Sequence, residues 1–143
     1  MKSLALVLVS ILFLPQVWFK NFNEAQQKAK ITHQLILVNF SGSDWCGPCI
    51  RLKEEIFQSS EFEKYAATNL LLVNADFPRQ KKNQLSKEQV KLNEALAERY
   101  NKNGRFPFTL LVDEDGKVLK TWDGYPDQTP EQFIASIANI NTK

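Results

Sequence analysis

Two short runs, each apolar but for one asparagine, Leu35-Ile36-Leu37-Val38-Asn39-Phe40 and Leu70-Leu71-Leu72-Val73-Asn74-Ala75, constrain the fold more than any other feature of the chain. Neither alternates polar with apolar, as a strand with one wet face would. Each therefore reads as a strand covered on both faces. The stretch between them is helical in pattern. Cys46 to Phe57 carries Ile50, Lys53, Glu54 and Phe57 at i, i+3, i+4, i+7, with Ile50 and Phe57 as the apolar members. Ser60-x-x-Glu63 is a capping-box signature that opens a second short helix with Phe62, Tyr65 and Ala66 inward. Strand, helix, strand in succession requires a parallel pair joined by a right-handed crossover.

The rest of the chain adds to this unit on both sides. Phe22, Ala25 and Ala29 predict a helix over about 22–30 that ends before Thr32. Pro78 to Leu85 is a charged, polar loop, and Ser86-x-x-Gln89 caps a helix that runs to about Tyr100 and stops at Asn103-Gly104. Phe108–Val112, the turn Asp113-Glu114-Asp115-Gly116 and Lys117–Trp122 form an antiparallel hairpin. Thr129-Pro130-x-Gln132 supplies the N-cap, N1 proline and N3 glutamine of a last helix, with Phe133, Ile134, Ile137 and Ala138 facing in. The expected order is α-β-α-α-β-α-β-β-α: an α/β protein with a mixed central sheet and helices on both faces.

At 143 residues the chain is one domain by length, and its 43% apolar and 24% charged content is that of a globular protein. The net charge is +2 and the densest basic run is Lys81-Lys82, so nucleic acid is not an expected partner. The N-terminus stands apart. Lys2 precedes the uncharged run Leu4–Leu14, which ends at Pro15. A short positive segment followed by a 7–15-residue apolar one is the export pattern, and this run is shorter than a membrane span of about 20 residues. Residues 1–16 are read as a signal peptide or an uncleaved signal anchor, and 17–143 as the folded domain. No cysteine stands at the end of the run, so lipid attachment there is excluded.

Both cysteines of the chain lie in Trp45-Cys46-Gly47-Pro48-Cys49. Cys46 falls where a buried strand has ended and a helix begins, and helix N-termini favour an anion. A free thiol titrates near pH ~8.5, and such a setting lowers it to roughly 3.5–7.5. Pro48 is tolerated in a first helical turn, and Gly47 with Pro48 leaves Cys46 approachable. Cys49, expected further inside, is placed to attack a mixed disulfide formed at Cys46. A purely structural disulfide would gain little, since so short a ring constrains the unfolded chain by only about 2 kcal/mol. Zinc needs four ligands as a rule, and His33 is the only other soft candidate. Inert buried cysteines are the third alternative to redox chemistry.

With these residues in view, the sequence resembles the thioredoxin superfamily. The resemblance is carried by Trp45-Cys46-Gly47-Pro48-Cys49 after the strand 35–40, by Phe106-Pro107-Phe108-Thr109-Leu110-Leu111, by Asp115-Gly116-Lys117-Val118 and by Gly124. Phe40-Ser41-Gly42-Ser43-Asp44-Trp45-Cys46 followed by Leu52-x-x-Glu55-x-Phe57 is similar to bacterial exported thioredoxin-like proteins. In that subgroup an extra helix, here 86–101, precedes the proline strand. The resemblance implies that Pro107 is a cis-proline facing the cysteines. It further implies that the backbone of Phe106 pairs with an extended substrate, and that Trp45, Gly47 and Pro48 complete the substrate surface. The sequence departs from the pattern at two places. The family's buried carboxylate is matched by Asn39 (or by Phe40 if the gap is placed elsewhere), and its lysine partner by Leu72.

The expectation is a thiol–disulfide oxidoreductase working through a Cys46–Cys49 dithiol/disulfide without a cofactor. It is a monomer outside the cytoplasm that reduces protein disulfides with electrons from a membrane-embedded donor. The rivals are an isomerase or oxidase of the same fold, and a redox-inert peptide-binding module. Other singled-out residues have simpler expected roles. His33 is a surface or strand-leading residue, Trp18 and Trp122 are core, and the helix 86–101 with Lys81-Lys82 is a solvated face. Asp44 either tunes Cys46 or ties a loop.

Overall fold

The computed structural model describes residues 16–140, so the leader read from residues 1–16 lies outside the described residues but for Gln16. The sheet is built from β1 (Trp18–Phe19), β2 (Leu35–Ser41), β3 (Leu70–Asp76), β4 (Phe108–Val112) and β5 (Val118–Asp123). Their order across the sheet is β1-β3-β2-β4-β5. β2 and β3 run parallel with Leu35 opposite Leu70, while β4 and β5 are antiparallel to their neighbours. The parallel pair and the hairpin are those the apolar runs predict. β1 is not predicted: it adds to β3 with Trp18 opposite Leu72, and two residues are too few to display a strand period.

Helices α1 (Phe22–Thr32) and α4 (Lys87–Tyr100) are set against α2 (Gly47–Leu52), α3 (Ser60–Asn69) and α5 (Pro130–Ala138) across the sheet. One core joins Phe22, Ala25 and Ala29 of α1 to Ile36, Val38 and Phe40 of β2. The other joins Leu37 of β2 to Leu52, Phe62, Trp122 and Phe133. β2 supplies both, because successive side chains point to opposite faces. Each fully buried Val, Leu, Ile or Phe here contributes about 1.5–3 kcal/mol.

Three local expectations are corrected. The cap of α3 is Ser59, whose Oγ accepts the Phe62 N–H at 3.2 Å; Ser60 is already helical. The predicted helix 46–57 is α-helical only to Leu52 and continues as a π-turn over Lys53–Phe57. The wider turn rotates the buried face onto Leu52, Ile56 and Phe57, and leaves Ile50 exposed. α1 runs two residues past 30 and ends on His33, which caps it in the left-handed conformation (φ 57°).

Candidate active site

Cys46 is the N-cap of α2. Its backbone is extended, and its Sγ accepts the N–H of Cys49 at 3.3 Å. The two sulfurs are joined in a disulfide with the Cα atoms 5.2 Å apart. The sequence reading put Cys49 further inside; instead both cysteines are 5% exposed. What separates them is the direction of that hydrogen bond and what each one faces. In the reduced protein the same N–H would favour a thiolate on Cys46 over one on Cys49.

On the Cys46 side the central piece is Trp45. Gly42 lies beneath its ring so closely that a Cβ there would come within 2.2 Å of the indole. Its Nε1–H donates to the Phe77 carbonyl at 2.8 Å. Phe106 meets the ring edge-to-face at 5.4 Å and Phe77 meets Phe106 at the same separation. Trp45 is therefore a fixed wall, and Phe106 with Phe77 forms an aromatic shelf beside it. The Phe106–Pro107 peptide is cis, and the Pro107 carbonyl accepts the N–H of Gly124 at 2.9 Å. Gly124 sits at φ 85°, which a glycine adopts without strain. Gly47 and Pro48 are exposed, and a Cβ on Gly47 would meet nothing within 4 Å, so that flank of Cys46 is open.

Behind Cys49 lies a cavity of about 580 Å³ whose polar floor is Asn39, Ser41 and Asn74. Strand parity decides the ambiguous alignment: Asn39 shares the Leu37 face and opens on this cavity, whereas Phe40 enters the opposite core. Asn39 is 5% exposed, and its Nδ2 donates to Thr109 Oγ1 at 2.9 Å. Leu72 is fully buried nearby in the sheet. The floor thus holds amides and hydroxyls. The carboxylates of the cavity, Glu54 and Glu63, belong to the helical side. Ile50, Lys53, Glu54 and Phe57, which share the helical spacing read from sequence, line it as well.

The remaining candidates fall into place. Asp44 ties a loop: its carboxylate accepts the N–H groups of Arg79 and Gln80 at 2.9 Å each and Asn83 Nδ2 at 3.0 Å. The Arg79 N–H first, then the Asn83 amide, hold this carboxyl below its ordinary range. His33 is exposed and pairs with Glu114 at 2.8 Å. It precedes the seven-residue β2, and Cys46 follows it, so roughly 20 Å of strand lies between them. Trp122 is core and Trp18 packs on Phe57. Sequence reasoning missed Phe77, Arg79, Asn74 and Thr109. The only available signal was an aromatic residue, a proline and a cation standing together at the start of a loop.

The thioredoxin-like domain family matches residues 22–141. A protein of Chlamydia pneumoniae named disulfide bond reductase DsbH is 39% identical over 71% of this chain and 59% of its own length. A second from that organism, thioredoxin-related protein DsbJ, is 27% identical over 87% of this chain and 35% of its own. The chain therefore spans little more than half of one relative and about a third of the other. Among solved structures, one of DsbH oxidoreductase superposes with a TM-score of 0.82 at 29% identity, over 99% of this chain and 95% of that one. Fold, cysteine pair and family match agree, and this chain belongs to the thioredoxin-like domain family.

Proposed function

We propose that the protein is a thiol–disulfide oxidoreductase that reduces protein disulfides outside the cytoplasm, and that it acts as a monomer. One observation carries the reading: Cys46 caps α2 with its sulfur accepting the N–H of its own disulfide partner, Cys49. In the reduced protein the Cys46 thiolate attacks a sulfur of the substrate disulfide. An enzyme–substrate disulfide forms at Cys46 and the first substrate thiolate leaves. Cys49, having lost its proton, then attacks Cys46 Sγ, and the second substrate thiolate departs. The substrate has gained two electrons and, from solvent, two protons; the protein is left with the Cys46–Cys49 disulfide seen here. A membrane-embedded dithiol donor returns the electrons.

The open flank at Gly47 and Pro48, the wall of Trp45 and the backbone of Phe106 beside cis-Pro107 receive the extended substrate. The Chlamydia pneumoniae relative named as a reductase supports the reductive direction. Export rests on Lys2 and the apolar run Leu4–Leu14. Among the described residues no helix is long and apolar enough to cross a membrane.

Three measurements test the proposal. The purified protein should reduce insulin, with a reduction potential nearer that of thioredoxin (about −270 mV) than the oxidant DsbA (about −120 mV). A value near the latter would assign it the oxidising role. Cys49→Ala should accumulate substrates linked to Cys46, and iodoacetamide should label Cys46 before Cys49 in the reduced protein; the reverse order would exchange their roles. A fusion of residues 1–30 to a reporter active only outside the cytoplasm should give signal, and silence would remove the export step.

A further inference from the structure

Arg79 stands where no sequence pattern points to a role. It belongs to the segment between β3 and α4, and that segment is fastened to the active-site loop at several points. The Phe77 N–H donates to the Ser41 carbonyl at 2.9 Å, Trp45 bonds the Phe77 carbonyl, and Asp44 collects the backbone of residues 79 and 80. The result lays the Arg79 guanidinium over the Trp45 ring, 3.7 Å from its centroid. Arg51 and Arg105 are each paired with a carboxylate, Glu55 and Asp123. Arg79 has no carboxylate partner among the described residues. The acids closest in the loop contacts are occupied, Asp44 by loop amides and Asp76 by Ser41 and Ser43. Lys81 and Lys82 follow in an exposed 3₁₀ turn and add positive charge of the same sign.

From this geometry we infer that Arg79 is a specificity residue which selects protein disulfides flanked by an acidic side chain. The inference rests on the oxidoreductase reading above. A guanidinium presents a fork of donors that matches a carboxylate, and stacking on a fixed indole has already restricted its rotamers, so little further freedom is lost on pairing. The residue before Cys46 carries this cation, so a substrate segment lying across Trp45 brings the side chains next to its own cysteine under Arg79. The aromatic shelf of Phe106 and Phe77 receives an apolar neighbour of that cysteine. The preferred substrate is thus an extended segment with an apolar and an acidic residue near the reducible cysteine.

Stopped-flow rates of the reduced full-length protein with three disulfides of similar size provide the test. They are 3,3′-dithiodipropionate (anionic), bis(2-hydroxyethyl) disulfide (neutral) and cystamine (cationic). The readout is each rate divided by that of the neutral compound, which cancels any change in the Cys46 thiolate itself. Arg79→Gln should lower the anionic ratio about fivefold and raise the cationic one, as loss of a rim charge does. Arg79→Lys should keep part of the anionic preference, and added salt should shrink it in the wild-type protein. Wild-type ratios in Arg79→Gln, whatever its absolute rates, would overturn the inference. If the wild-type protein reduced none of the three, the oxidoreductase reading itself would fall, and the inference with it.

Discussion

Cys46 and Cys49 are equally covered, yet they face opposite kinds of surroundings. The Cys46 side is crowded and directional: Trp45 is packed against Gly42 and Phe106, bonded to the Phe77 carbonyl and covered by the Arg79 guanidinium. The Cys49 side is roomy, with a cavity of about 580 Å³ over a floor of amides and hydroxyls. Under the proposed mechanism, the step that meets a partner protein would have a rigid platform, while the step that releases it would have space but no buried charge. A fixed wall orients an incoming chain at little entropic cost. In the proposed mechanism that floor offers no base for the Cys49 proton, which leaves water, the departing thiolate or the carboxylates Glu54 and Glu63 of the helical side.

The sharpest way to break this contrast is at the two glycines that border it. Gly42→Ala forces a Cβ into the indole, so Trp45 must leave its place and with it the Phe77, Phe106 and Arg79 contacts. Overpacking of this kind costs about 1–3 kcal/mol, and a drop of the urea midpoint together with loss of insulin reduction is expected. Gly47→Ala meets nothing inside the molecule. Its stability should stay within about 0.5 kcal/mol of wild type, while insulin reduction falls because the methyl projects into the partner's space. Equal destabilisation by the two would mean that the Cys46 flank is not open.

On the other side the informative change is Asn39→Asp, which installs an ionisable group on the cavity floor. General-base help is worth about 10²–10⁴-fold where proton transfer limits, so release of a chromogenic thiol from the Cys46 adduct should speed at least about tenfold at pH 6–7 and little at pH 9. The introduced carboxyl has Thr109 beside it and the apolar Leu72 in the adjacent strand, with no cation on the floor. Burial raises its folded pKa above the unfolded ~3.9. By linkage the variant is closest to wild type below about pH 4, and it loses stability as the pH rises toward the folded value. An unchanged release rate at pH 6, in folded protein, would mean that proton removal does not limit the resolving step.

The same two sides differ in how far they could be read in advance. The Cys49 side follows from strand parity, which is a local property: Leu37 and Asn39 share one face, and Phe40 takes the other. The capping box at Thr129 and Gln132 was equally legible and is complete, with bonds of 3.2 and 3.0 Å in the two directions. Errors arose where one residue of register mattered. Either serine of Ser59-Ser60 could cap α3. One π-turn moved the buried stripe off Ile50, so that of the two apolar members of the predicted spacing Phe57 is core and Ile50 borders the cavity. The Cys46 side was barely legible beyond Trp45 and Pro107. Its wall is assembled by bonds to backbone groups far apart in sequence, such as Asp44 to Arg79 and Trp45 to Phe77, and no spacing rule encodes those.

The smallest expected effect comes from loosening that wall at its latch. Asp44 carries three hydrogen bonds from residues 79, 80 and 83 on its carboxylate, and these hold its pKa below the ordinary value, the Arg79 N–H most of all. A carboxyl whose folded pKa is depressed stabilises the fold above its unfolded value, near ~3.9, and the contribution fades only as pH falls through the lower folded value. Across pH 5–8 the latch is therefore constant, and the rate ratios among the three disulfides should not change on its account in that window. Asp44→Asn keeps one acceptor oxygen and loses the negative charge, so the Arg79 and Gln80 amides can no longer both be served well. Hydrogen exchange should quicken at those two amides and leave the β2 amides unchanged. The anionic-to-neutral rate ratio should fall by less than Arg79→Gln lowers it, because the guanidinium is freed from its position but not removed. Protection at Arg79 and Gln80 that survives the substitution would show that Trp45 and Phe77 hold the segment without Asp44.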